Sequence, residues 1–488
     1  MTLNLTLSDL SRLDKIRAAL AADEHHARFA SLGMDQLTVA DHAADELLAT
    51  LERQLRRTGH DVGRQIRVRM IVDDVVIQRN GENLKDLLFA RLAERFDVSR
   101  VVLSDRYPVL HADESILDRA AAGSVGADAI VSIGGGTITD VAKIAAMRNA
   151  TPVHIVVQTA ASVDGYTDNF SVVLQNGVKR TLLTRWPDAV LTDVRTIADA
   201  PYALNASGLG ELLSMYCAPG DWLLAARCGM GETFTPSLIE MLELCGAGVE
   251  DWAEGIARGD IAAARRLAAA LAMRGLVSGV GGTTAILSGM EHLFSHMLDI
   301  HGAETGAATG LHGAQVGVGS VIAAAAWEEF CARMEETPLD PAQLTLGADE
   351  AEARVRAAFL DLDPSGRLGA QCWSHYRLKL AKWEGARGSI AALFADWSAF
   401  RAEHDALVMN SHRLAACLHR GGAAMRPGDL TPTVAPPLLR WTVANCQFMR
   451  ERFTIADLLT YAGWWDAKGV TRVLDRAEAA CAAAERGP

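Results

Sequence analysis

Between Ile66 and Val157 the chain alternates short apolar runs with stretches of helical period. The runs are Ile66–Val72, Val101–Ser104, Ile130–Ile133 and Val153–Val157. The helical stretches between them are Leu84–Phe96, Ile116–Ala122 and Ile138–Arg148. Strands that are apolar on both faces need cover on both faces. A parallel sheet wrapped by the intervening helices supplies that cover. A hairpin is expected next, with Phe170–Leu174 and Val178–Leu183 flanking the turn dipeptide Asn176-Gly177. Ala189–Thr192 reads as one more strand. After Ala200-Pro201 the texture becomes rich in alanine and leucine and helical in period, as in Ile261–Arg274, Val316–Glu329 and Leu438–Arg452. Residues 1–60 read as helical and charged. The division expected is a helical addition over 1–60, a dinucleotide-binding α/β domain over 61–200, and a helical metal- and substrate-binding domain over 201–488.

Within the alternating region, the run Ile130–Ile133 stops at Gly134, Gly135 and Gly136, and a helix-forming segment follows at once. Thr137 and Asp140 have capping-box spacing. Three residues without Cβ at a strand-to-helix turn let a ligand approach the backbone closely. The free N–H groups and the helix dipole favour a phosphate there. A tight turn with no ligand would show the same glycines. The strand before and the helix after favour a pyrophosphate cradle.

A second group of residues lies in the helical half. His292 and His296 are four apart and share a helix face. His312 heads a long helix of small and apolar residues. Two imidazoles with one carboxylate make a three-ligand metal site with an open position, and Glu211, after Gly208 and Gly210, is the carboxylate candidate.

With 488 residues, half of them hydrophobic, a large core is available, and no apolar run is long enough to span a membrane. The net charge of −13 argues against nucleic acid or an anionic membrane as partner. The eight cysteines all follow residue 216 and contain no Cys-x-x-Cys pair, which suits free thiols in a reducing cytoplasm. Met1–Leu20 is polar and helical in pattern rather than leader-like.

Four segments in order resemble the iron-containing alcohol dehydrogenase and dehydroquinate synthase superfamily, and within it the glycerol-1-phosphate dehydrogenases. They are Gly134–Asp140 with Lys143, Thr159–Tyr166, Gly208–Tyr216 with Asp221-Trp222, and Ser288–His292 followed by His312–Gly319. Phe453 to Asp466 looks like the family's last helix, so the resemblance covers roughly residues 35 to 466. It implies a Rossmann-like domain, an all-helical domain and a cleft between them. It implies a nicotinamide cofactor over Gly134–Gly136, Thr137, Asp140 and Lys143, with Thr159 and Ser162 toward the nicotinamide. It implies a divalent cation, zinc or nickel, on Glu211, His292 and His312. Asp164 and His296 become the catalytic candidates, and a homodimer is expected. Asp105, after the second apolar run, could accept ribose hydroxyls and favours NAD, while the neighbouring Arg106 could tolerate NADP.

The implied reaction is reversible reduction of dihydroxyacetone phosphate, or a related ketone, to a polyol. Glu211 stands where the family usually has aspartate, Met215 where lysine is common, Gln158 where proline is usual, and Asp168 where a small serine is common. Two alternatives use the same fold. One is a sugar-phosphate cyclase of the dehydroquinate synthase type, which needs several basic residues around the metal. The other is a repurposed nucleotide-binding member without turnover.

Overall fold

The computed structural model describes residues 3–62, 65–79, 81–104, 110–175 and 178–487. The chain forms two compact units. The first comprises residues 1–208 and 236–283, and the second 209–235 and 284–488.

The first unit is built on a six-stranded, all-parallel sheet. In chain order its strands are β1 (Gln36–Ala40), β2 (Arg67–Asp73), β3 (Asp97–Leu103), β4 (Ala129–Gly134), β5 (Val153–Gln158) and β6 (Ala189–Asp193), arranged β1-β6-β5-β4-β2-β3. All five ladders are parallel. Every residue of β4, β5 and β6 is buried, which is why the sequence shows them as mainly apolar segments without polar alternation. One face carries Leu51, Leu55, Leu88 and Leu92 against Val131, Ile133, Ile155 and Leu191. The other carries Ile116, Leu117, Val141 and Ala145 against Ile71 and Ile130. The hairpin pairs Phe170–Gln175 with Val178–Leu183 in antiparallel register. Its Asn176-Gly177 turn lies outside the described residues.

Two parts of the first unit differ from the reading of the sequence. Residues 1–60 are not wholly helical, because Gln36–Ala40 is the edge strand β1, registered Gln36↔Ala189 through Ala40↔Asp193. Its five residues are too few to show a period, and pairing with β6 fixes them as strand. The glycine turn therefore closes the fourth strand of the sheet in chain order, not the third. In addition, residues 236–283, expected with the helical half, belong to the first unit. The backbone carbonyl of Val280 accepts from Ala30 N–H, and Ser237 donates to Asp23.

The second unit is helical throughout its described residues. Its centre is the pair α4 (Met290–Thr305) and α5 (His312–Glu336), both buried over most of their length. No described helix is long and apolar enough to cross a membrane.

A candidate nucleotide cradle and a candidate metal centre

In the first unit, β4 ends at Gly134 and the next helix runs Gly136–Arg148. Its N-cap is Gly135, in extended conformation and with no side chain to cap the helix. Thr137 therefore sits inside the first turn, and the expected capping box with Asp140 does not form. A Cβ at Gly136 would meet Val163 at 2.7 Å, whereas one at Gly135 would meet only the Tyr166 hydroxyl, at 3.9 Å. Position 135 thus has room for a side chain yet carries none. That absence, together with an uncapped helix N-terminus, fits a pyrophosphate. The segment after β5 lies against this turn. Thr159 N–H donates to the Gly134 carbonyl at 3.4 Å.

The other cofactor candidates have different surroundings. Lys143 is fully buried, and its three N–H groups reach Gly165 O, Asp168 Oδ1 and Phe170 O at 2.6, 2.6 and 2.7 Å. An ammonium has three donors, so none is left for a ligand, and the expectation that Lys143 binds cofactor is corrected. Asp168, unusual at its position, is the carboxylate that this buried cation requires. Asp140 accepts from Val172 N–H at 3.2 Å and lies 3.8 Å from Lys143. Burial raises its pKa to about 7, against the pull of that lysine. Asp164 accepts from Arg274 through Nε and a terminal nitrogen, both at 3.1 Å. Arg274 is fully buried on the helix Ile261–Gly281, a hundred residues downstream, and no local sequence signal pointed to it. Gln158, another departure, accepts from Thr192 across the sheet at 2.8 Å. Asp105 lies outside the described residues.

In the second unit, Glu211, His292 and His312 converge, with one ligand atom of each within 4.8 Å of the others. Small residues make this possible. A Cβ on Gly210 would lie 2.3 Å from the Gly313 carbonyl, so the backbone before Glu211 approaches the start of α5 directly. A Cβ on Gly319 would lie 2.6 Å from the Glu291 carbonyl, which brings α4 and α5 equally close. The first turn of α4 is anchored by buried Asp221, which accepts from Met290 N–H, Ile455 N–H and Trp327 Nε1.

Both imidazoles are oriented by partners that the sequence reading missed. His292 Nδ1 lies 2.8 Å from Glu291 Oε1, and this buried carboxylate can only accept, so Nδ1 carries the proton. Nε2 is turned toward Glu211 Oε1 at 3.4 Å. Ser295 donates to Gln315 Oε1 at 2.7 Å, so its hydroxyl oxygen accepts from His312 Nδ1 at 2.8 Å. His312 Nε2 then faces Glu211 Oε2 at 3.7 Å. Two ligand atoms on a four-coordinate zinc with bonds of about 2.1 Å stand roughly 3.4 Å apart. The observed separations match that edge, and two neutral imidazoles with one carboxylate are a suitable donor set. Burial opposes charge on His292, but Glu211 and Glu291 outweigh it and raise the pKa to about 9. A proton and a cation therefore compete for the same nitrogen. His296 is buried on the same helix face, its ring stacked 5.6 Å from that of His312.

Residues 42–201 match the family model described as iron-containing alcohol dehydrogenase. Among curated relatives, glycerol-1-phosphate dehydrogenase (NAD(P)+) of Pyrococcus furiosus is 35% identical over 194 residues, 40% of this chain and 54% of that protein. The enzyme of the same name from Halalkalibacterium halodurans is 29% identical over 306 residues, covering 62% of this chain and 73% of the relative. The one from Thermofilum pendens is 38% identical over 216 residues, 43% and 60% respectively. The chain spans about half the length of the first of these relatives. A probable glycerol dehydrogenase from Sinorhizobium meliloti 1021 aligns over 94% of this chain and 99% of its own, with a TM-score of 0.55 and 18% identity. Glycerol dehydrogenase from Schizosaccharomyces pombe aligns over 93% and 91%, with a TM-score of 0.53 and 14% identity. At these identities the likeness is one of fold.

Proposed function

On the match of residues 42–201 to the iron-containing alcohol dehydrogenase model, we propose that the chain is a metal- and NAD(P)-dependent oxidoreductase. Its reaction is the reversible reduction of dihydroxyacetone phosphate, or a closely related ketone, to the corresponding polyol. The observation that carries the reading is the pair of oriented imidazoles. Each presents Nε2 to Glu211, and each is fixed through Nδ1 by its own partner. Buried histidines that served packing alone would not need that arrangement.

The dinucleotide supplies the hydride chemistry and the cation supplies Lewis acidity toward the substrate oxygen. The chain's residues bind and orient. Gly134–Gly136, at the N-terminus of the helix Gly136–Arg148, and Thr137 in its first turn would receive the pyrophosphate, and Thr159 and Ser162 would face the nicotinamide half. Glu211, His292 and His312 would hold the cation. His296 is the better proton carrier of the two catalytic candidates, because Asp164 is tied through Oδ2 to Arg274. Eight free, buried cysteines suit a reducing cytoplasm. A homodimer is part of the same proposal, and sedimentation tests it.

The deciding experiment is metal analysis of the purified protein together with NADH and NADPH oxidation against dihydroxyacetone phosphate. One zinc or nickel per chain with turnover supports the reading. A protein that takes up no cation and oxidises neither cofactor would remove it.

A further inference from the structure

We propose that Arg274 is a positioning residue of the proposed reaction. From beneath the segment 159–168 it holds the Asp164 carboxylate in one place, as the acceptor for a hydroxyl of the ketone substrate. This rests on the reading of the chain as an NAD(P)-dependent oxidoreductase with Asp164 beside the reacting groups. The segment crosses the glycine turn. Thr159 N–H donates to the Gly134 carbonyl, and Val163 Cγ2 lies 2.7 Å from the place of a Cβ on Gly136. Residues 162–165 form its half-buried crest, and 159–161 and 166–168 on either side are buried. Asp164 stands on that crest, next to Val163, with 20% of its side chain exposed.

Underneath, the helix Ile261–Gly281 is fastened to the segment at three points. Arg274 reaches Asp164 Oδ2 through Nε and a terminal nitrogen, both at 3.1 Å. Thr167 Oγ1 donates to the Ala272 carbonyl at 2.7 Å. A Cβ on Gly275 would lie 2.2 Å from Thr167 Oγ1 and 2.5 Å from the Asp164 carbonyl, so the helix backbone meets the segment directly. Arg274 is fully buried, and a buried guanidinium requires a carboxylate. Structure alone would be served by a carboxylate buried as deeply, as Asp168 serves Lys143. Asp164 instead combines a buried anchor with an exposed edge beside the cradle. The planar two-donor fork of arginine fixes the direction of the carboxylate as well as its charge. A carboxylate offers about four acceptor sites, so two bonds at Oδ2 do not exhaust it.

Two binding measurements on the metal-loaded full chain test this without turnover. Dihydroxyacetone phosphate is titrated calorimetrically into protein saturated with NAD+, a pairing in which no hydride can pass. NADH affinity is measured separately by fluorescence. Arg274→Met is expected to weaken ketone binding about tenfold, the loss of a well-placed charged hydrogen bond, and to leave NADH affinity unchanged. Arg274→Lys keeps the charge without the fork and is expected to fall between the two. In the background of Asp164→Asn, Arg274→Met is expected to weaken ketone binding no further, because Arg274 acts through that carboxylate alone. Wild-type ketone affinity in Arg274→Met would overturn the proposal. So would an equal fall in NADH affinity, which marks support of the whole segment, or a full further loss in the Asp164→Asn background. Should Arg274→Met fail to fold, Arg274→Lys decides: weakened ketone binding with intact NADH binding supports the proposal, and wild-type affinity for both overturns it. A wild-type chain that binds neither NADH nor the ketone removes the oxidoreductase reading, and this one with it.

Discussion

Replacing Lys143 by methionine separates two roles for one residue, cofactor ligand or buried structural cation. The ammonium is fully buried among Gly165 O, Asp168 Oδ1 and Phe170 O. Lys143→Met keeps the length of the side chain but strands the Asp168 carboxylate, itself 6% exposed. Breaking a buried ion pair by removing one partner costs about 3–5 kcal/mol. That is a large share of the roughly 5–15 kcal/mol by which folded domains are stable. The double variant Lys143→Met/Asp168→Leu removes the stranded charge and leaves two carbonyls short of a donor, at about 1–3 kcal/mol each at most. It is expected to be more stable than Lys143→Met alone, by the roughly 0.5–3 kcal/mol typical of directly coupled sites. Urea unfolding, followed by hydrogen exchange of β4 and the helix after it, reports the first unit without contribution from the second. NADH affinity of the double variant is expected to equal that of the parent. The reasoning is refuted if Lys143→Met is as stable as the parent, or if the double variant is stable but binds NADH tenfold more weakly. The latter is the signature of a lost contact worth about 1.4 kcal/mol.

Three further outcomes follow from the same geometry. Ser295→Ala frees His312 Nδ1 from its acceptor and is expected to weaken cation binding about 10–100-fold in competition with a chromogenic chelator; unchanged affinity would detach Ser295 from the site. Chelator treatment is expected to lower the unfolding temperature of the second unit, because a cation at a hundred times its Kd contributes about 2.7 kcal/mol; identical melts with and without chelator would contradict this. Asp140 is raised by burial from 3.8 to about 7, so between those values the folded chain holds a proton that the unfolded chain has released. The associated stability is complete below 3.8 and is lost as pH rises through about 7. Asp140→Asn should flatten that slope in urea midpoints measured across the window, and an unaltered slope would assign it to other groups.

What the sequence revealed and what it hid follow from range. The central strands were legible because burial on both faces leaves a local mark, three apolar residues in a row within a short segment. The edge strand Gln36–Ala40 was not, because its only mark is a partner some 150 residues away in β6. The glycine turn was legible as a site, and the expected Thr137 cap was not formed, because Gly135 already occupies the position that precedes the helix. Lys143 next to a nucleotide motif reads as a phosphate ligand. Only the fold shows that three acceptors from 165–170 close over it.

The metal side shows the same division more sharply. His292 and His296 announced themselves by helical spacing, and Glu211 and His312 by neighbouring small residues. The groups that make the imidazoles ligands rather than core histidines carry no such mark. Glu291 is adjacent to His292 and reads as one more helix charge, yet it is fully buried and accepts the hydrogen bond from His292 Nδ1–H. Ser295 and Gln315 sit on different helices and act as one relay only because Gly319 lets α4 and α5 close on each other. Glu211, a methylene longer than the aspartate expected from the resemblance, reaches toward both Nε2 atoms from a backbone held against α5 through Gly210. The longer side chain and the glycine before it are thus one adjustment. Gly210→Ala, by forcing that backbone away from Gly313, should impair the cation site as much as the loss of an imidazole partner, although it touches no ligand atom.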